Sequence, residues 1–141
     1  MSKGEEKIIT LLKKGKYKFE REKRFSDLKK GFYRYDFYVV GGRPTPVLIE
    51  FNGEQHYKQV KKFYHTRADF EKAKGRDRRK ISYALAHRIP LYIIPFWEIE
   101  NLKSAEDIFQ EKFRARDRWK NERDWVKASQ NLTRTGKFDR L

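Results

Sequence analysis

The 141 residues carry 35 Lys and Arg against 20 Asp and Glu, a net charge of +15, with 38% hydrophobic and 16% aromatic side chains. That is one domain's worth of chain with enough apolar material for a core, which argues against disorder despite a mean hydropathy of −1.01. The absence of cysteine excludes a disulfide framework, a thiol nucleophile and a Cys-based zinc site.

Ser2-Lys3-Gly4-Glu5 has capping-box form, and Ile8, Ile9, Leu11 and Leu12 give the helix it opens an apolar side that Gly15 can end. Tyr17 to Phe25 alternates at first and is charged in the middle, as an edge strand would be. Ser26 to Gly31 reads as a turn, Phe32 to Val40 as a strand, Gly41 to Pro46 as a turn cluster, and Val47 to Asn52 as a strand apolar on both faces and therefore central. The short link predicts that these two strands are antiparallel neighbours. Gly53 to His65 reads as a loop. From Thr66 to His87 the period is helical, with Phe70, Ala73, Asp77, Ile81 and Ala84 on one stripe. Ile89 to Pro95 is a short buried strand. Ser104 then caps a last helix starting near Ala105, with Ile108, Phe109, Phe113 and Trp119 as inward positions.

The expected order is αβββαβα, an α+β or α/β arrangement with a small mixed sheet flanked by helices. A single domain is expected over residues 1–120 and a basic C-terminal extension over residues 121–141. No apolar run reaches the ~18–20 residues of a membrane span, and the polar start is no secretory signal. A soluble, cytoplasmic protein is the expectation. The strong positive charge makes nucleic acid the favoured partner over an anionic membrane or an acidic protein.

Two acids fall inside apolar strands, where an unpaired carboxylate is costly. Asp36 lies in Tyr35-Asp36-Phe37-Tyr38 and Glu50 in Leu48-Ile49-Glu50-Phe51. On adjacent strands they can converge on a divalent cation, with the Phe51 carbonyl as a further ligand and Mg²⁺ or Mn²⁺ as the ion. Gln55 and His56 come directly after the Gly53 turn, where they can orient water, contact phosphate or move a proton. Glu5 and Asp77 can complete an acidic ring. Structural alternatives stand beside these readings: Glu5 as the capping-box residue, Asp36 paired with Arg34, and Asp77 bridging to Lys74 or Lys80.

Gly4-Glu5 at a helix start, Asp36, and the string Ile49-Glu50-Phe51-Asn52-Gly53-Glu54-Gln55-His56-Tyr57 resemble the PD-(D/E)xK nuclease superfamily. The nearest branch is similar to phage and mobile-intron endonucleases related to very-short-patch repair nucleases, with an EDxHD pattern. Glu5, Asp36, Gln55-His56 and Asp77 match that pattern, and the likeness covers about residues 2–97. It implies a restriction-endonuclease-like core and a catalytic set of Glu5, Asp36, Glu50, Gln55, His56 and Asp77. Asn52 departs from it, standing where the standard motif has a lysine. Water activation then falls to the metal, to His56, or to a base such as Lys58 or Lys80. The cysteine-rich zinc elements and separate DNA-reading modules of some relatives are also missing.

The expected function is metal-dependent hydrolysis of DNA phosphodiesters by a nicking, homing or repair-type endonuclease. A Holliday-junction or branched-DNA resolvase, in which a homodimer would cut both strands, is one alternative. A non-catalytic nucleic-acid-binding module is another. Lys58, Lys61, Lys62, Arg76, Arg78, Arg79 and Lys80 are expected to grip the phosphate backbone.

Overall fold

The Ser2 hydroxyl accepts the Glu5 amide at 3.1 Å and opens α1, Lys3–Lys14. This is half of the predicted capping box, and the computed structural model places the Glu5 carboxylate on Arg21. The structure describes residues 1–54 and 66–116, without the Phe70 side chain. Ile8, Leu11 and Leu12 are buried at helical spacing. The helix ends at Gly15, but the left-handed residue that turns the chain is Lys16, with φ 59°. Gly15 is needed for close approach: a Cβ there would lie 2.7 Å from the Tyr17 ring.

Four strands form one mixed sheet in the order β1-β2-β3-β4: β1 Lys18–Arg24, β2 Arg34–Gly41, β3 Val47–Asn52 and β4 Leu91–Pro95. The charged β1 takes the edge, and β1, β2 and β3 pair antiparallel in turn. The apolar β3 lies inside the sheet and pairs parallel with β4. A parallel neighbour needs a long crossover, and α2, Arg67–Ala86, lies between the two strands in sequence. Thr66 caps α2 by accepting the Asp69 amide at 3.1 Å.

Both faces of the sheet are covered. On one, α1 packs with Phe37, Val39, Val47, Ile49, Tyr92 and Ile94. On the other, Ile81 and Ala84 of α2 meet Tyr35, Leu48, Leu91 and Ile93. The architecture is therefore mixed α and β, with a small mixed sheet between helices. No helix among the described residues is long and apolar enough to cross a membrane.

Two of the differences from the expected elements have a clear physical reason. The predicted last helix is replaced by short 3₁₀ turns, at Ala105–Phe109 and Glu111–Phe113, separated by an extended Gln110. Ser104 does cap the first of them, in a capping box with Asp107. Residues three apart eclipse in a 3₁₀ turn, so Ala105 and Ile108 both enter the core, and the break at Gln110 re-aims the chain to bury Phe113. Arg114 and Ala115 then lie along β4, with the Ala115 amide donating to the Leu91 carbonyl at 2.8 Å. The second difference is the start of β2, at Arg34 and not Phe32. Lys29, Lys30 and Gly31 have φ of 48°, 53° and 80°, and Phe32 is right-handed helical at φ −69° and ψ −38°, so extended backbone begins only after it. The readings for the loop residues Gln55, His56, Lys58, Lys61 and Lys62, for Trp119, and for the extension at 121–141 lie outside the described residues.

Candidate active site

The β2–β3 ladder pairs Val39 with Val47, Tyr38 with Leu48 and Phe37 with Ile49. The ladder ends at Phe37 and Ile49, and just beyond it carboxylates take the place of carbonyls as acceptors. The Asp36 amide donates to Glu50 Oε1 at 3.2 Å, and the Phe51 amide donates to Asp36 Oδ2 at 2.8 Å. Each acid takes an amide of the opposite strand, so the register itself brings the two carboxylates together. Phe51 meets Asp36 through its N–H; its expected contribution was a carbonyl.

Glu50 has a third partner. Lys80 Nζ on α2 donates to Glu50 Oε1 at 2.7 Å, with the two side chains 11% and 10% exposed. Lys80 thus sits inside the site, buried and paired with Glu50. The buried Tyr35 hydroxyl donates to the Lys80 carbonyl at 2.7 Å, and Lys80 Nζ lies 5.1 Å from the Tyr35 ring centre. These contacts tie α2 to the sheet at the residue that serves Glu50.

Burial makes both acids reluctant to ionise. Asp36 is pushed up to about 8, chiefly by burial and next by the neighbouring Glu50 charge, against the Phe51 amide and Lys80, which pull it down. Glu50 is raised as well, because its desolvation outweighs the attraction of Lys80. Asp77 adds to that repulsion.

Asp36, Glu50 and Lys80 line an open cleft of about 610 Å³, which Glu5 and Asp77 also reach. Four of the six expected catalytic residues, Glu5, Asp36, Glu50 and Asp77, thus share one cavity; Gln55 and His56 fall outside the described residues. Glu5 holds Arg21 at 3.0 Å. Arg34 pairs with Glu22 at 3.4 Å, so it does not serve as the counter-ion of Asp36. Arg76 lines the cleft, Arg78 is exposed, and Arg79 donates to the Tyr33 hydroxyl at 2.8 Å. Arg24, Phe32 and Tyr33 at the rim were not singled out from the sequence. The one local signal for them is the basic Lys29-Lys30-Gly31 turn that precedes Phe32.

Gly4 sets the position of Glu5. A Cβ at Gly4 would lie 2.4 Å from the Phe51 ring, so only glycine lets the start of α1 rest there. Gly4→Ala is expected to destabilise the protein by about 1–3 kcal/mol through overpacking. An unchanged urea midpoint would show that the ring gives way without cost.

Among the described residues, no group of three or more His, Cys, Asp or Glu side chains is arranged to hold a metal ion. Mg²⁺, however, is commonly held by one or two carboxylates with waters and substrate phosphate completing its shell. Among the described residues, hydrogen bonds are made to Asp36 Oδ2 and Glu50 Oε1, and Asp36 Oδ1 and Glu50 Oε2 are hard-oxygen donors of the type such an ion takes. The donor set fits Mg²⁺ or Mn²⁺. No family model matches the chain, and no curated protein or solved structure matches it either.

Proposed function

We propose that the chain is a Mg²⁺- or Mn²⁺-dependent DNA endonuclease with a restriction-endonuclease-like core, of the PD-(D/E)xK kind its motifs resemble. The observation that carries this reading is the Asp36 and Glu50 pair with Lys80 against it, in a cleft that Arg24, Arg34 and Arg76 also line.

In this reading Asp36 and Glu50 hold the ion. A bound divalent cation supplies Lewis-acid polarisation of the phosphate and lowers the pKa of water. Lys80 Nζ donates to Glu50 Oε1, bringing from α2 the basic side chain that Asn52 does not provide from β3. It favours the ionised form of Glu50 and offers positive charge to an incoming phosphate. Glu5 anchors Arg21, and Arg24 and Arg76 hold the backbone of the nucleic acid.

Nicking of supercoiled DNA in Mg²⁺, Mn²⁺ or EDTA tests the assignment. Nicking in either metal and none in EDTA is expected. Binding should weaken steeply with salt, and Arg76→Ala should lower the slope of log K against log salt by about 1. A slope equal to that of the wild type would remove Arg76 from the interface.

A second reading is favoured by one contact. Lys80 already occupies Glu50 as a partner, as it would in a nucleic-acid-binding module without turnover. Tight, salt-sensitive binding with no metal-stimulated cleavage of supercoiled, linear or four-way-junction DNA would select it.

A further inference from the structure

Phe32 is 80% exposed, the most exposed large hydrophobic side chain among the described residues. It is not a loose end of chain. The three residues before it, Lys29, Lys30 and Gly31, run through positive φ, a conformation unfavourable for the two lysines. Arg24 Nη1 fixes the end of this turn by donating to the Gly31 carbonyl at 2.6 Å and to the Phe32 carbonyl at 3.2 Å. Leu28 anchors the other end in the core. Tyr33, the next residue, is held by Arg79.

An arginine clamp on a strained turn thus presents a bare phenyl ring to solvent. Phe32 lines the same cleft as Asp36, Glu50 and Lys80, as do Arg24 and Arg34. An isolated exposed aromatic needs no explanation by itself. This one is held by unfavourable backbone, at the mouth of an acid-lined cleft, among cations that suit a phosphodiester chain. Aromatic rings next to phosphate-binding cations are how proteins take unpaired bases, because every base offers a stacking face while a continuous duplex hides it.

We propose that Phe32 is a base-stacking residue and that the substrate of this cleft carries unpaired nucleotides beside the phosphate it presents to Asp36 and Glu50. DNA with a gap, flap or branch is the class it fits, in preference to continuous duplex. This rests on the nucleic-acid reading above and specifies its substrate.

The test uses the full-length protein in EDTA, so that binding is measured without cleavage. The probes are a continuous duplex and a gapped duplex of equal length, with 2-aminopurine in the gap. The wild type should prefer the gapped probe by about tenfold and quench its fluorescence. Phe32→Ala should lose most of both effects and leave duplex affinity unchanged, whereas Phe32→Trp should keep them. Equal affinity of the wild type for the two probes, or an equal loss on both with Phe32→Ala, would overturn the inference. A separate nicking assay keeps the two ideas apart: Phe32-dependent gap binding without cleavage removes only the nuclease assignment, and cleavage indifferent to Phe32 removes only this one.

Discussion

Glu50→Ala should abolish metal-dependent cleavage, by roughly 10²–10³-fold or more, and should also destabilise the fold by about 3–5 kcal/mol. The second effect arises because Lys80 Nζ, 2.7 Å from Glu50 Oε1, would be left as a buried charge without its partner. A buried ion pair is itself little evidence of stability: replacing both partners with apolar or neutral groups of similar size is often neutral or stabilising. The double variant Glu50→Gln/Lys80→Met should therefore recover most of the stability lost in Glu50→Ala, yet remain inactive. Urea unfolding and plasmid nicking on the same preparations separate the two effects. A double variant no more stable than Glu50→Ala would mean that Lys80 reaches solvent once Glu50 is gone. Wild-type cleavage by Glu50→Ala would remove the nuclease assignment altogether.

The contrast between Glu50 and Lys80 shows what a sequence can and cannot display. Glu50 is legible because β3 is apolar around it, and a carboxylate there needs a reason. Asp36 is legible for the same cause, and the short link between the strands makes the two acids neighbours. Lys80 sits in a run of basic residues on α2, where a lysine usually faces water, and its partner is 30 positions away. Its burial is a tertiary fact, and local pattern suggests no more than a base near the site. Phe32 is hidden in another way. Alternation assigns it to a strand, but Lys29 and Lys30 take left-handed backbone with Arg24 clamping the turn from β1. In the last helix, the cap is visible in the sequence and the length is not. Ser104 begins a turn as expected, and the burial of Ile108 and Phe113 then sets the path of the chain.

Asp36 provides the second large effect, as a dependence on pH. Its carboxyl is raised from 3.8 to about 8 by burial beside Glu50, so the folded state holds a proton that the unfolded chain releases near its ordinary value. Between those two values the native protein binds more protons than the unfolded one, and stability must fall as pH rises. In EDTA, the contribution of Asp36 should be fully present below about pH 4. It should be lost at up to about 1.4 kcal/mol per pH unit, and level off above about 8. Glu50 is raised too, so some slope will survive in Asp36→Asn. The difference between the wild-type and Asp36→Asn curves cancels the titrations far from the site and should carry the Asp36 proton together with the change its charge makes at Glu50. Mg²⁺ should lift the high-pH end of the wild-type curve, since the ionised pair is the form that binds a cation, by an amount that grows with ion concentration. It should do nothing for Asp36→Asn at the same concentration if both carboxylates are needed to hold the ion. Urea unfolding from pH 5 to 9, with EDTA or Mg²⁺, measures all four curves. Parallel curves for the two proteins in EDTA would show that Asp36 is ionised in the native state well below neutrality, and that Lys80 and the Phe51 amide outweigh its burial.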